Sequence, residues 1–182
     1  MCGIVGMVGQ RNVSPILIEG LKRLEYRGYD SAGVAIIDDG NISSSKVEGK
    51  VSALSKRLET DPISGHIGIA HTRWATHGEP NDINSHPHVN NDGTLSAVHN
   101  GIIENYDPIK KFLLSKNIKF KSETDTEVLV QLIGYFYKNG KMNFEQSVRA
   151  ALQRVDGAYG IVILNTDYPD MMIAARKGSP LV

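Results

Sequence analysis

"MCGIVGMVGQ" (residues 1–10) puts the only cysteine of a 182-residue chain directly after the start methionine. Residues 2–9 alternate small and branched apolar side chains, the pattern of a buried strand. Removal of Met1 is expected when the second residue is small. It would make Cys2 the amino terminus and put a thiol and an α-amine on one residue. The amine's ordinary pKa, about 7.7–8.0, lies close to the thiol's, about 8.5, so proton exchange between them is nearly balanced at neutral pH. Such an amine is the local base that an N-terminal nucleophile requires. Gly3 leaves space beside the sulfur for a substrate. The ordinary reading of a lone cysteine is a small buried hydrophobe, and the rest of the sequence decides between the two.

Working outward, Val13, Leu17, Leu21 and Leu24 recur at helical spacing, with Asn12 or Ser14 as cap, Pro15 in the first turn and Gly28 as stop. "SAGVAII" (31–37) reads as a strand, "DDGN" (38–41) as a hairpin turn and "ISSSKV" (42–47) as the return strand. A helix follows near 50–60. Strands are expected at 66–73 and 94–100 around a polar loop, 74–93, which is long enough to suggest a functional role. Helices are expected at 105–116, 125–138 and 143–155, and strands at 159–164 and 171–176. Strands first and last with helices between them predict an α+β fold built on antiparallel sheet rather than parallel βαβ winding.

The chain has a length suited to one domain. With 41% hydrophobic residues and twenty Lys+Arg balancing twenty Asp+Glu, it has no net field to attract nucleic acid or anionic lipid. The lone cysteine excludes an internal disulfide framework. No stretch approaches the ~20 apolar residues of a membrane span, and the N-terminal apolar run is too short for a secretory signal. A cytoplasmic protein is expected. The ending "KGSPLV" has no polar tail and suggests a domain excised from a longer protein.

Four further segments are dense in groups suited to an amino-acid ligand: "RLEYRGYDSAG" (23–33), "AHTRWATHGEP" (70–80), "HNGIIEN" (99–105) and "SETDTE" (122–127). With "MCGIVG" they form five ordered motifs covering essentially the whole chain. The sequence resembles the glutaminase domain of the glutamine–fructose-6-phosphate aminotransferase (glucosamine-6-phosphate synthase) family. These are class II glutamine amidotransferases of the N-terminal-nucleophile hydrolase superfamily.

The resemblance implies a four-layer αββα sandwich of two antiparallel sheets flanked by helices, occupying residues 1–182. It implies Cys2 as nucleophile, with the Asn100 side-chain amide and the Gly101 backbone N–H as oxyanion hole. A local hairpin turn is the rival reading of "NG". Arg73 would hold the α-carboxylate of L-glutamine, a task suited to its bidentate fork. Asp125 would receive the α-ammonium, although Thr124-x-x-Glu127 also reads as a capping box that places Asp125 in a first helical turn. Thr76 and His77 would line the pocket, and His86 would belong to a loop that orders over glutamine. Trp74 would gate an ammonia passage to a partner domain, against the ordinary reading of a buried core anchor. Arg27 and Tyr29 would support the pocket.

The implied reaction is hydrolysis of the glutamine γ-amide through a Cys2 thioester. The ammonia would serve a sugar-phosphate isomerase domain that binds fructose 6-phosphate and lies outside these residues, in a protein that is a homodimer when full length. No cofactor is implied. His71, His77, His86 and His88 do not make a metal site: His86 and His88 straddle a proline, and no second cysteine or H-E-x-x-H helix accompanies them. Two alternatives stay open, the glutaminase domain of another class II amidotransferase and a non-catalytic glutamine-sensing module.

Overall fold

The computed structural model describes residues 2–74 and 78–179. Strand β1 (Gly3–Val8) leads into α1 (Ser14–Leu24), followed by the hairpin β2 (Ser31–Asp38) and β3 (Asn41–Glu48), α2 (Val51–Thr60) and β4 (Ile67–Arg73). The second half runs through β5 (His88–Val89), β6 (Leu95–Ile103), α3 (Tyr106–Ser115), α4 (Asp125–Asn139), α5 (Phe144–Leu152), β7 (Gly157–Asn165) and β8 (Met172–Lys177). The strands form two four-stranded antiparallel sheets, ordered β1-β4-β2-β3 and β5-β6-β7-β8.

Three apolar clusters define four layers. Leu17, Leu21 and Leu54 of α1 and α2 pack on Ala32, Val34, Ile36 and Ala70 of the first sheet. Ala35, Ile37, Ile67 and Ile69 meet Val98, Val162 and Leu164 of the second sheet. Leu95, Ala97, Ile161 and Ile163 then pack on α3, α4 and α5, with Phe144 fully buried. This is the αββα sandwich with its two antiparallel sheets face to face. The two-residue period of a strand sorts side chains between the layers. On β4, Ile67 and Ile69 point between the sheets and Ala70 points toward α1; on β6, Val98 points between the sheets and Ala97 toward α4.

Several boundaries differ from expectation. Neither Asn12 nor Ser14 is the cap of α1. Val13 holds that position without a side-chain bond, because it is buried and its N–H donates to Gly65 O (2.9 Å), while Asn12 Oδ1 accepts from Ser14 N–H. The helix itself ends at Leu24, and a 3-10 turn over Glu25–Arg27 carries the chain to Gly28. The interval 74–93 contains the short strand β5, which docks on Ser96 and Ala97. Strand β6 continues through Asn100 and Gly101 to Ile103, paired with β7, so "NG" is not a hairpin turn. The third late helix stops at Leu152 rather than 155. The β2–β3 turn is as expected, with Asp39 and Gly40 both at positive φ (46° and 75°), the geometry of a tight two-residue hairpin.

Candidate active site

Cys2 stands just before β1, whose Ile4 packs between the sheets; the two-residue period aims Cys2 the same way. Its Sγ accepts the Trp74 N–H at 3.1 Å and lies 3.6 Å from Trp74 O. Burial pushes the Cys2 thiol above its ordinary pKa, with the Trp74 N–H and the Arg73 charge pulling it back. Asn100 on β6 shares the orientation of Val98. Its Nδ2 donates to the Cys2 carbonyl (3.1 Å) and its Oδ1 lies 2.9 Å from His71 Nε2.

The β6–β7 register settles the direction of the neighbouring amide. Antiparallel pairs alternate between bonded and non-bonded. Glu104 N–H donates to Asp156 O (2.9 Å), so Ile102 and Asn100 fall in bonded pairs with β7. Gly101 and Ile103 therefore direct their N–H groups to the opposite edge, beyond the end of β5. There Ile103 N–H donates to Asp125 Oδ2 at 2.9 Å. Gly101 has φ of +133°, and a Cβ there would lie 2.0 Å from Ala158 O, so only glycine fits.

Arg73 closes β4 and is buried. Its Nη2 donates to Gly78 O (3.2 Å), and its charge is felt by Cys2, Asp30 and Asp125. Asp125, also buried, begins α4. The capping box expected there is half formed. Thr124 Oγ1 accepts Glu127 N–H (3.2 Å), but the Glu127 carboxylate does not reach back to Thr124. It takes Lys121 N–H (2.9 Å), Ser122 N–H (2.6 Å) and the Ser122 hydroxyl (2.6 Å) instead, because that turn presents more donors.

A cavity of about 420 Å³ is lined by Cys2, Asn100, Gly101, Arg73, Asp125 and Thr126, with Arg27, Trp74 and His86 also on its wall. That size lies at the small-ligand end of binding pockets. Trp74 is not a core anchor: it is 47% exposed and stands edge-on to the half-exposed Tyr29, with ring centroids 5.6 Å apart. Thr76 and His77 lie outside the described residues. His86 is buried in the cavity wall, its ring 4.2 Å from that of His71 and its Nε2 2.8 Å from Thr126 Oγ1. A Cβ on Gly33 would come within 2.1 Å of His86 O, so the glycine of "SAG" makes room for this segment.

Sequence reasoning did not find His71, His99 and Thr126 as members of the site, nor Lys46, which donates to Ser85 O (2.8 Å) and Ile83 O (3.2 Å) and fastens the segment before His86. Burial lowers the Lys46 pKa to about 8. Strand parity could have placed His71 on the Ile67–Ile69 side. The four histidines His71, His86, His88 and His99 are buried, and among the described residues no group of His, Cys, Asp and Glu has the arrangement of a metal site.

The sequence is matched by a known family and by curated relatives. The glutamine amidotransferase domain family covers residues 71–179, well over half of the chain. The chain belongs to the glutamine amidotransferase domain family. The domain is 55% identical over all its 182 residues to glutamine–fructose-6-phosphate aminotransferase (isomerizing) of Clostridium acetobutylicum, covering 29% of that protein. It is 56% identical to the enzyme of the same name from Bacteroides thetaiotaomicron, covering 100% of this chain and 30% of that one. This amidotransferase domain thus spans under a third of these relatives. Among solved structures it is similar to an allosteric regulatory enzyme of purine biosynthesis, with TM-score 0.83 and 27% identity, over 97% of this chain and 37% of that one. Glutamine phosphoribosylpyrophosphate amidotransferase from B. subtilis gives TM-score 0.81 and 26% identity, with the same coverage. No helix among the described residues is long and apolar enough to cross a membrane.

Proposed function

We propose that this domain hydrolyses the γ-amide of L-glutamine to glutamate and ammonia, with Cys2 as nucleophile. The observation that carries the reading is the meeting of the Cys2 backbone and the Asn100 amide at a cavity that also holds a buried arginine and a buried aspartate. With Met1 removed, the α-amine of Cys2 takes the thiol proton. A base is needed because burial raises the thiol's pKa. The thiolate attacks the amide carbon, and Asn100 Nδ2 and Gly101 N–H stabilise the developing oxyanion. Collapse of the intermediate returns the proton to the departing ammonia and leaves a γ-glutamyl thioester, which water cleaves with the same amine as base. Arg73 pairs with the substrate's α-carboxylate and Asp125 with its α-ammonium, a charge arrangement that selects an amino acid.

In the longer protein suggested by the relatives, residues 1–182 form the glutaminase unit. Its ammonia passes by Trp74 to a sugar-phosphate isomerase domain that aminates fructose 6-phosphate, in a cytoplasmic homodimer. Identity of 55% to the sugar enzyme, against 26–27% to the purine enzymes, supports this destination. Comparing Cys2→Ala with the parent tests the reaction. Loss of ammonia release with glutamine still bound supports it; absence of turnover in both proteins supports a sensor.

A further inference from the structure

We infer that His71 is a positioning residue for catalysis: its Nε2–H holds the Asn100 side-chain amide in the one orientation that turns Nδ2 toward Cys2. The inference rests on the proposed role of Asn100 as an oxyanion donor.

The hydrogen-bond pattern fixes every proton in this link. Cys2 O, 3.1 Å from Asn100, can only accept, so the amide nitrogen must face it. The amide oxygen then faces His71 Nε2 at 2.9 Å. The same Nε2 lies 3.1 Å from His99 O, a second obligate acceptor. Two oxygens around one ring nitrogen require that nitrogen to carry the hydrogen. His71 Nδ1 has no hydrogen-bond partner among the described residues, as suits the bare nitrogen of a neutral ring. Packing fixes the ring itself, since His71 is fully buried and lies against His86 with an interplanar angle of 31°.

Without this donor the amide loses the partner of its oxygen and keeps only the bond to Cys2 O to hold its terminal torsion, which is intrinsically broad and roughly two-fold. A turned amide would aim an oxygen, not a donor, at the developing negative charge. The consequence falls on turnover, since the hydrogen bonds of His71 Nε2 run to Asn100 Oδ1 and His99 O, on the side of the proposed oxyanion donor.

The test compares glutamine hydrolysis by the protein as its gene encodes it with variants at His71 and Asn100. His71→Leu should lower kcat by about tenfold to a hundredfold, less than loss of the oxyanion donor itself, with KM changed by no more than about threefold. His71→Gln should recover most of the loss, because the glutamine Nε2 reaches about as far as the imidazole Nε2 and keeps a donor there. Adding His71→Leu to Asn100→Ala should cost nothing further, because the donor that His71 orients is already gone. If melting shows that His71→Leu does not fold, His71→Asn, whose amide is too short to reach Asn100, replaces it with the same expected loss. Parental kcat in a folded donor-less variant, or losses that multiply with Asn100→Ala, would overturn the inference while leaving the hydrolase reading intact. A processed parent that releases no ammonia would overturn both.

Discussion

Asn100 Nδ2 donates to the carbonyl oxygen of Cys2 at 3.1 Å across 98 residues of sequence, joining the second sheet to the start of the first. The bond anchors the backbone of the proposed nucleophile and keeps an amide donor at the cavity that Cys2 lines. Replacing Asn100 by Ala should therefore reduce kcat by about 10²–10³, the usual cost of one oxyanion donor. Steady-state glutaminase assays check this, and a change confined to KM would contradict the oxyanion role.

Asp125 is buried at the cavity wall with Oδ2 occupied by Ile103 N–H. An Asp125→Asn side chain can keep that bond through its oxygen while losing the charge that would face the substrate's ammonium. A hydrogen bond to a charged group contributes about 1.5–3 kcal/mol, so KM for glutamine should rise about tenfold to a hundredfold. An unchanged KM would show that the ammonium is held elsewhere.

Glu127 is buried and satisfies the N–H groups of Lys121 and Ser122 and the Ser122 hydroxyl. Removing it leaves buried donors without an acceptor at the turn that launches α4. Glu127→Ala should lower stability by about 3 kcal/mol or more, read from urea unfolding. Since α4 carries Asp125, glutamine binding should weaken as well. A stability change under about 0.5 kcal/mol, typical of a surface site, would contradict the assignment.

Much of this architecture is legible in the sequence, because strand parity is a local property. The alternation in "GIVGMV" and "IGIAHTR" fixes which side chains face the second sheet, and with them the positions of Cys2, His71 and Arg73. Pairing across the two sheets is not local. Nothing near residue 71 announces that its partner is residue 100. The capping box expected at Thr124 and Glu127 is made by Thr124 but not by the Glu127 carboxylate for a physical reason: a carboxylate near several backbone donors goes where the donors are most numerous. The place of the buried histidines in the site was not legible. Their role as neutral hydrogen-bonding groups comes from complete burial, which no composition reports.

That burial predicts acid sensitivity. The His71 pKa is lowered to about 3 by burial, and those of His86 and His88 fall well below the ordinary value for the same reason. Below about pH 6.5 the unfolded chain takes up protons that the native protein refuses, so stability is full above that pH and declines as pH falls. Each such histidine adds a slope of up to about 1.4 kcal/mol per pH unit, and three together up to about 4. Urea midpoints between pH 7 and pH 5 should drop steeply, and more gently in His71→Gln. A flat midpoint over this interval would contradict the neutral, buried cluster.

Intact mass spectrometry before and after exposure to a glutamine-like diazoketone tests whether Cys2 is an N-terminal nucleophile in a glutamine-shaped pocket. The chain should lack Met1 and gain one stoichiometric adduct, mapped to Cys2 and suppressed by excess glutamine. A chain lacking Met1 that remains unlabelled, or carries the adduct on another residue, would contradict it.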